Sequence, residues 1–134
     1  YTAFTFNDSE YIGTGDPLID ASQGLVAGTD VTGVPDRLWV VSLDRTGPLG
    51  MGLTAKYTSS RRVSLRSDWY TDPYWLVDAY VSFAGESLSD LLRSTEFAIV
   101  ANNLLDKAYL SAITENAAWL GAPRTVSMTA TVSF

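Results

Sequence analysis

Hydrophobic and polar positions alternate without interruption through the last nine residues of the chain. The apolar parity holds Val126, Met128, Ala130, Val132 and Phe134, and the polar parity holds Ser127, Thr129, Thr131 and Ser133. Successive side chains of a β-strand point to opposite faces, so this pattern predicts a strand with one apolar face and one face of hydroxyls. Small hydroxyls opposite aliphatic side chains are typical of a wall between lipid and a watery lumen.

The same alternation recurs in five earlier segments, so we predict an all-β chain of six antiparallel strands. The predicted strands cover residues 1–11, 37–45, 51–58, 74–83, 94–102 and 126–134. Long loops are predicted at residues 12–36, 59–73 and 104–123, and short connections at 46–50 and 84–93, the second with room for one helical turn at 87–92. Outer-membrane barrels have short periplasmic turns and long outer loops, an asymmetry that a soluble meander has no reason to adopt.

Aromatic residues on the apolar parity fall near the two ends of the predicted strands. Trp39, Tyr57 and Trp75 lie near the long-loop end, and Phe83, Phe97 and Phe134 lie near the other end. Two such girdles are expected where rings lie at headgroup level. The residues predicted to face lipid are Val126, Met128, Ala130, Val132, Trp39, Trp75, Phe83 and Phe97. The alternative is that these aromatic residues form the core of a soluble sandwich.

Charge placement favours the membrane interpretation. Lys56, Asp78 and Glu96 all lie on the polar parity of their strands. A Lys or Arg at the bilayer midplane on the lipid face costs about 2 to 4 kcal/mol, and the sequence has none there. The pattern therefore predicts an up-and-down transmembrane sheet.

Composition narrows the classes of function. The chain has 134 residues, a net charge of −6, and neither Cys nor His. The acidic balance and scattered basic residues argue against a nucleic-acid partner. Without Cys or His there is no disulfide framework, no thiolate zinc site and no imidazole base, so we predict neither an enzyme nor a metal or cofactor site. No apolar run approaches the roughly 18 residues of a spanning helix, so a membrane would be crossed by strands.

Six strands are too few to close a membrane barrel, because the smallest common barrels have about eight. An open edge in hydrocarbon leaves unpaired backbone groups that each cost several kcal/mol. Alternation is already under way at Tyr1, so we expect this chain to be a piece of a longer polypeptide whose upstream strands complete the barrel.

Four short motifs carry a resemblance to a known family. They are Gly33-Val-Pro35 leading into a strand, Asn103-Leu-Leu-Asp-Lys-Ala-Tyr109 after a strand, Gly121-Ala-Pro-Arg124 before the last strand, and the terminal Phe134. In this order and spacing they resemble the C-terminal end of TonB-dependent outer-membrane receptors, over essentially the whole chain. Leu105 departs from the pattern, since the family often has an aromatic residue there.

The resemblance implies a barrel of about 22 strands, plugged by an N-terminal domain, in the outer membrane of a Gram-negative bacterium. Residues 1–134 would be the last six strands of that barrel domain, with the plug domain absent. The family imports scarce nutrients, most often ferric siderophores, with energy supplied through the TonB complex. Expected partners are outer-membrane lipid and lipopolysaccharide, the upstream strands and plug, TonB acting through the plug, a small metal chelate or other nutrient, and the barrel assembly machinery, which would read Phe134 as its assembly signal.

Candidate substrate contacts lie in the predicted outer loops. Aromatic faces are offered by Trp69, Tyr70, Tyr74, Tyr109 and Trp119, and positive charge by Arg61, Arg62 and Arg66. The same residues also suit a solvent-exposed rim that faces lipopolysaccharide, as does Arg124.

Other polar loop residues favour structural roles. Asp8, Glu10, Asp16 and Asp20 offer oxygen ligands for calcium, but their spacing matches no calcium loop, which favours a solvated acidic loop. Asn103 and Asp106 are predicted to bond nearby backbone at a strand end.

Two rival functions remain open on the sequence. A passive porin-like or adhesin-like barrel has the same strand pattern and differs by lacking an upstream plug. A soluble all-β ligand-binding module, for example for carbohydrate, would instead stay in solution without detergent and unfold cooperatively as 134 residues.

Overall fold

The computed structural model describes residues 1–133 and consists mainly of antiparallel strands. Phe134 lies outside the described residues, and with it the predictions of an assembly signal and of a lipid-facing ring at that position. The strands are β1 (Thr2–Phe6), β2 (Glu10–Tyr11), β3 (Thr29–Asp30), β4 (Arg37–Arg45), β5 (Leu49–Thr58), β6 (Tyr74–Ala84), β7 (Thr95–Asn102), β8 (Leu110–Thr114), β9 (Ala117–Leu120) and β10 (Thr125–Val132). One α-helix, α1, spans Pro17–Gln23, and 3-10 turns span Gly85–Ser87 and Asp90–Leu92.

Six strands form one antiparallel sheet in the order β1-β4-β5-β6-β7-β10. These are the six strands that the alternation predicts, and β4 has the predicted bounds. The long connections all leave the same end of the sheet because each strand runs opposite to its neighbour. The all-β, antiparallel and meandering character of the fold is thereby confirmed.

The first strand and two of the long loops differ from the prediction. β1 ends at Phe6, and Asn7 is held to the segment directly before β4. The Asn7 backbone N–H donates to the Asp36 carbonyl at 2.8 Å, and the Asn7 side-chain amide donates to the Pro35 carbonyl at 2.9 Å. Of the remaining predicted first strand, only Glu10 and Tyr11 form a strand, β2, which pairs with β3. The predicted loop 12–36 also contains α1, and the predicted loop 104–123 contains the hairpin β8–β9.

Strand register places the apolar-parity residues of all six strands on one face of the sheet. Phe4, Trp39, Tyr57 and Trp75 are successive cross-strand partners and form a row of contacting rings near the long-loop end, with neighbouring centroids 5.0–5.9 Å apart. Near the other end, Phe83 stacks on Phe97 at 5.5 Å. Between the rows, the register aligns aliphatic residues of β5, β6, β7 and β10, among them Val81, Ile99 and Met128.

The opposite face carries most of the strand hydroxyls together with Lys56, Asp78 and Glu96. The Ser42 and Thr54 hydroxyls are 2.8 Å apart, and Lys56 forms an ion pair with Asp78 at 2.7 Å. Asp78 also accepts a hydrogen bond from the backbone N–H of Asn103 at 2.9 Å. Lys56 and Asp78 therefore share the polar face and satisfy each other, as their parity predicts.

A close contact between β5 and β6 depends on a glycine. Gly52 is the register partner of Tyr80, and the Tyr80 ring occupies the space above it. A Cβ atom at residue 52 would collide with that ring and with the Asp44 carboxylate. Only glycine therefore allows the ring to lie across the sheet at this level.

The sheet has no second layer within the described residues. Leu43 on the apolar face remains 77% exposed and Met128 65% exposed, and every residue of β10 is exposed. β1 and β10 each pair on one side only with the strands that the structure describes. The sheet thus presents a broad apolar surface and two edges with unpaired backbone groups.

Candidate ligand-contact surface in the long loops

The three long loops pack against one another above the end of the sheet. We call residues 7–36 loop 1, residues 59–73 loop 2 and residues 103–124 loop 3, and together they are the loop layer. The buried side chains of the described chain lie here: Ser59, Arg61, Asn103 and Ile113 are each 4–7% exposed. Since the sheet buries none of its side chains to this degree, the loop layer is the core of the described residues.

Arg61 fastens loop 2 to loop 3. Its guanidinium donates to the carbonyl oxygens of Leu110 and Ser111. The guanidinium carbon also lies 5.9 Å from the centre of the Tyr74 ring, within the range of a cation–π contact. Its burial and its partners make Arg61 a structural tie rather than an exposed charge.

Glu115 makes a second connection between the same loops. Its carboxylate accepts hydrogen bonds from the Leu65 backbone N–H at 2.8 Å and from the Ser64 hydroxyl at 2.7 Å. These two bonds, the backbone one first, hold the pKa of Glu115 below its usual value because they stabilise the charged form. The connection is therefore strongest when the carboxylate is ionised.

Loop 1 is held to loop 2 by Tyr70 and Arg62. The Tyr70 hydroxyl donates to Asp30 at 2.7 Å, and this bond raises the pKa of the phenol. Arg62 bonds the Asp68 carboxylate at 2.9 Å and the Tyr70 hydroxyl at 3.3 Å. The charge of Arg62 is thus matched by a carboxylate of its own loop.

Gly33 brings loop 1 against both other loops. Its N–H donates to the Arg62 carbonyl at 2.9 Å, and its φ of +79° is a left-handed value that favours glycine. A Cβ atom here would collide with the carbonyl oxygen of Ile113. The Gly33-Val-Pro35 motif therefore places a glycine where the three loops meet.

An aromatic cleft opens between loops 2 and 3. The Tyr74 and Tyr109 rings lie 5.0 Å apart, and the cavity beside them has a volume of about 450 Å³. Its lining is Val63, Tyr70, Thr71, Asp72, Tyr74, Lys107, Ala108, Tyr109, Leu110 and Leu120. Ligand pockets commonly have volumes of about 300 to 1,000 Å³, so the cleft is large enough for a small molecule.

The structure gathers some of the predicted contact residues and leaves others apart. Tyr70, Tyr74 and Tyr109 line the cleft, whereas Trp69 and Trp119 are exposed and lie outside its lining. None of the three predicted arginines lines it. Arg66 instead passes the C-terminal glycine of α1, Gly24, on the surface of loop 2.

Asn103 and Asp106 confirm their predicted structural roles. The Asn103 side chain bonds the backbone of Lys107 in both directions at 2.9 Å and donates to the Ala122 carbonyl at 3.0 Å. Asp106 accepts from the backbone N–H of Arg124 at 2.9 Å. Both residues have positive φ values, 49° and 53°, a conformation that Asn and Asp tolerate better than most residues. Together they fold the start of loop 3 back towards β10.

Two loop 1 carboxylates cap local structure. Asp16 accepts from the Leu18 N–H at the start of α1, and Asp20 accepts from both the backbone and the hydroxyl of Thr14. Residues 1–133 contain no group of three or more Asp or Glu side chains arranged to hold a metal ion.

Sequence reasoning missed two residues of the loop layer. Asp72 lines the cleft, and Glu115 ties loop 2 to loop 3. Lys107, for which the sequence favours a structural role, also lines the cleft. One signal was available for the hairpin that carries Glu115, because Glu115 and Asn116 form a two-residue polar break between two apolar runs.

Comparisons with known proteins add no assignment. The chain matches no protein-family model, and no curated protein matches it. In the part of the chain that the structure describes, no helix is long and apolar enough to cross a membrane.

Proposed function

We propose that this chain is the C-terminal part of the β-barrel of a TonB-dependent outer-membrane transporter, which imports a scarce nutrient. A ferric siderophore is the cargo that the family resemblance favours. In this proposal the sheet forms part of the barrel wall, the loop layer lies outside the cell, and the short connections face the periplasm.

The observation that carries the proposal is the single-layer sheet with one continuous apolar face. No described residue covers this face, and its aromatic rows lie at the two ends of the aliphatic band. Burial of such a face in water would need a second layer, whereas lipid covers it without one. β4, β5 and β6 have 9, 10 and 11 residues, close to the roughly 9 to 11 that a tilted strand needs to cross a bilayer.

Charge on the apolar parity of β4 supports the same orientation. Arg37 and Arg45 are the first and last residues of that strand, and Trp39, Val41 and Leu43 lie between them. Arginine at each end of an apolar stretch can reach the headgroups, where its charge costs little. On the apolar face of β4, the positively charged residues thus lie only at the two ends of the strand, at the level of the lipid headgroups.

The open edges support a larger barrel. Backbone groups on the outer sides of β1 and β10 need partners in hydrocarbon, and further strands of the same barrel would supply them. The motifs at Gly33, Asn103 and Gly121, which carry the family resemblance, all lie in the loop layer and make contacts within it. The assembly role proposed for Phe134 rests on the family resemblance.

Site-directed spin labelling tests the membrane orientation. The chain lacks cysteine, so Val81→Cys and Ser82→Cys each introduce one labelling site on opposite faces of β6. In outer membranes of a Gram-negative host, we expect the label at residue 81 to be accessible to oxygen and the label at residue 82 to a water-soluble nickel complex. Equal exposure of both labels to the nickel complex would contradict the proposal and favour a soluble all-β module.

Growth under iron limitation tests the cargo. We expect deletion of the gene to slow growth when one ferric siderophore is the only iron source. Loss of TonB should have the same effect. Unchanged uptake in cells without TonB would favour a passive barrel.

A further inference from the structure

The aromatic cleft between loops 2 and 3 carries information about the class of ligand. From its lining we infer that the cleft binds an uncharged ligand with hydroxyl-bearing rings, the chemistry of a sugar ring, rather than an anion. This inference rests on the proposed function, because it takes the cleft as a place where an imported nutrient first contacts the loop layer. It assigns that nutrient to a sugar-like class, in place of the ferric siderophore that the family resemblance favours.

The rings of the cleft are held in place before any ligand arrives. The Tyr74 hydroxyl donates to the Leu110 carbonyl at 3.5 Å, and the Tyr70 hydroxyl donates to Asp30 at 2.7 Å. The Tyr109 ring covers Gly121 so closely that a Cβ atom at residue 121 would collide with it. Tyr74 and Tyr109 pack on each other, and the Arg61 guanidinium lies over the Tyr74 ring, so the two rings form a fixed wall that presents its edges to the cleft. A hydroxyl-bearing ring packs against such a wall without loss of side-chain freedom in the protein.

The charged lining of the cleft sums to zero. Asp72 and Lys107 are its only charged lining residues, and neither side chain has a hydrogen-bond or ion-pair partner among residues 1–133. Asp72 accepts hydrogen bonds and Lys107 donates them, while a hydroxyl group does both. A ligand rich in hydroxyls therefore suits both side chains, whereas an anion gains from Lys107 and is repelled by Asp72.

The surroundings also oppose an anion. Arg61 is buried against two carbonyl oxygens and Arg62 is paired with Asp68, so two of the loop 2 arginines are already engaged. Loop 1 has six carboxylates and no Lys or Arg. Its negative field lowers the local concentration of anionic ligands at the mouth of the loop layer.

Matched probes of different charge test the inference. Purified protein in zwitterionic detergent micelles is titrated with uncharged trisaccharides, namely maltotriose, cellotriose, mannotriose and xylotriose, and with the anionic trigalacturonic acid. Quenching of tyrosine and tryptophan fluorescence reports binding. We expect at least one uncharged trisaccharide to bind at least tenfold more tightly than trigalacturonic acid. Tighter binding of the anion, or no binding by any uncharged probe, would overturn the inference.

Neutral and reversed-charge variants locate the site. Asp72→Asn and Lys107→Gln should each weaken binding of the uncharged trisaccharide about tenfold, because each alters a hydrogen-bonding group to the ligand. Asp8→Asn, at an exposed loop 1 carboxylate outside the cleft, is the matched control and should leave the affinity unchanged. Asp72→Lys should raise the affinity for trigalacturonic acid. An equal loss in the Asp72 and Asp8 variants would place binding elsewhere and overturn the inference.

The membrane and ligand experiments distinguish failure of the barrel proposal from failure of the ligand inference. Failure of the residue 81 and 82 labels to alternate would contradict the barrel and leave the binding result intact. Normal alternation without sugar binding would retain the barrel and remove the ligand class.

Discussion

The six-stranded sheet and the loop layer bury their residues in opposite ways. The sheet repeats a two-residue period and leaves both faces open, with no side chain as deeply buried as those of the loop layer. The loop layer has no repeating pattern, yet it buries Arg61, Asn103 and Ile113 and joins segments about 50 residues apart. The loop layer is therefore stabilised by contacts within the chain, whereas the apolar face of the sheet has no cover among the described residues.

A lysine on the apolar face gives the largest expected effect and tests the dependence of the sheet on lipid. Ala79 lies on that face near the middle of β6, and Ala98 lies on the polar face of β7. Ala79→Lys should lower the free energy of unfolding from bilayers by about 2 to 4 kcal/mol, because an amine near the midplane is poorly solvated. The matched Ala98→Lys variant should change it far less. Denaturant titration in lipid vesicles measures both, and equal losses would remove the distinction between the faces.

Loss of Arg61 is expected to have a smaller effect that is confined to the loop layer. Arg61→Leu removes charged hydrogen bonds to the Leu110 and Ser111 carbonyls, each of which contributes about 1.5 to 3 kcal/mol in general. The substitution also removes the buried Arg61 Nε atom, which has no hydrogen-bond partner among residues 1–133. Removal of this unpaired group offsets part of the lost stability. Chymotrypsin should cut loop 3 several-fold faster, while the strand signal in circular dichroism stays constant.

Arg93→Leu is the control for this experiment, because Arg93 is exposed and lies in a short connection at the other end of the sheet from loop 3. It should not change the cleavage rate of loop 3. Unfolding of the sheet in the Arg61 variant would show that the two regions are not independent.

The smallest expected effect is a pH dependence of the contact between loops 2 and 3. The pKa of Glu115 is lowered in the folded chain, so its ionised form is favoured there relative to an unfolded glutamate, whose pKa is about 4.3. The contribution of Glu115 is therefore complete above that value and is lost as the pH falls through the lowered pKa. Amide hydrogen exchange of Leu65 should quicken more than that of strand amides between pH 6 and pH 3, after correction for intrinsic rates.

Glu115→Gln should abolish most of this pH dependence, since the amide does not titrate. Exchange at Leu65 that stays equally pH-dependent in the variant would assign the effect to another group.

The sequence predicts the sheet well because its information is local. Alternation over eight to eleven residues determines which face each side chain takes, and β4 appears with its predicted bounds at Arg37 and Arg45. β1 is shorter than predicted, and part of its predicted continuation, Glu10 and Tyr11, pairs instead with Asp30 and Thr29 about 20 residues further along the chain. The alternation of neighbouring residues gives no information about such a long-range contact.

The loop layer is predicted less well for the same physical reason. The sequence suggests Arg61 as an exposed charge for a ligand, and the structure places it inside, against carbonyls about 50 residues further along the chain. Asn103 and Asp106 are predicted correctly, because their bonds reach backbone groups close by in sequence or at the next strand. The tyrosines of the cleft are suggested by residue type, but only the fold brings Tyr74 and Tyr109 together.

The contact of Tyr80 with Gly52 has a consequence for how the sheet is assembled. A slip of two residues between β5 and β6 would keep every apolar side chain on its correct face, so alternation alone does not select against it. Such a slip would move Tyr80 onto Thr54 or Gly50, and the first of these carries a side chain where the ring must lie. Slippage in that direction is thus opposed by a steric mismatch at a single position. Gly52 therefore helps to select the native strand register over a slipped register that has the same hydrophobic pattern.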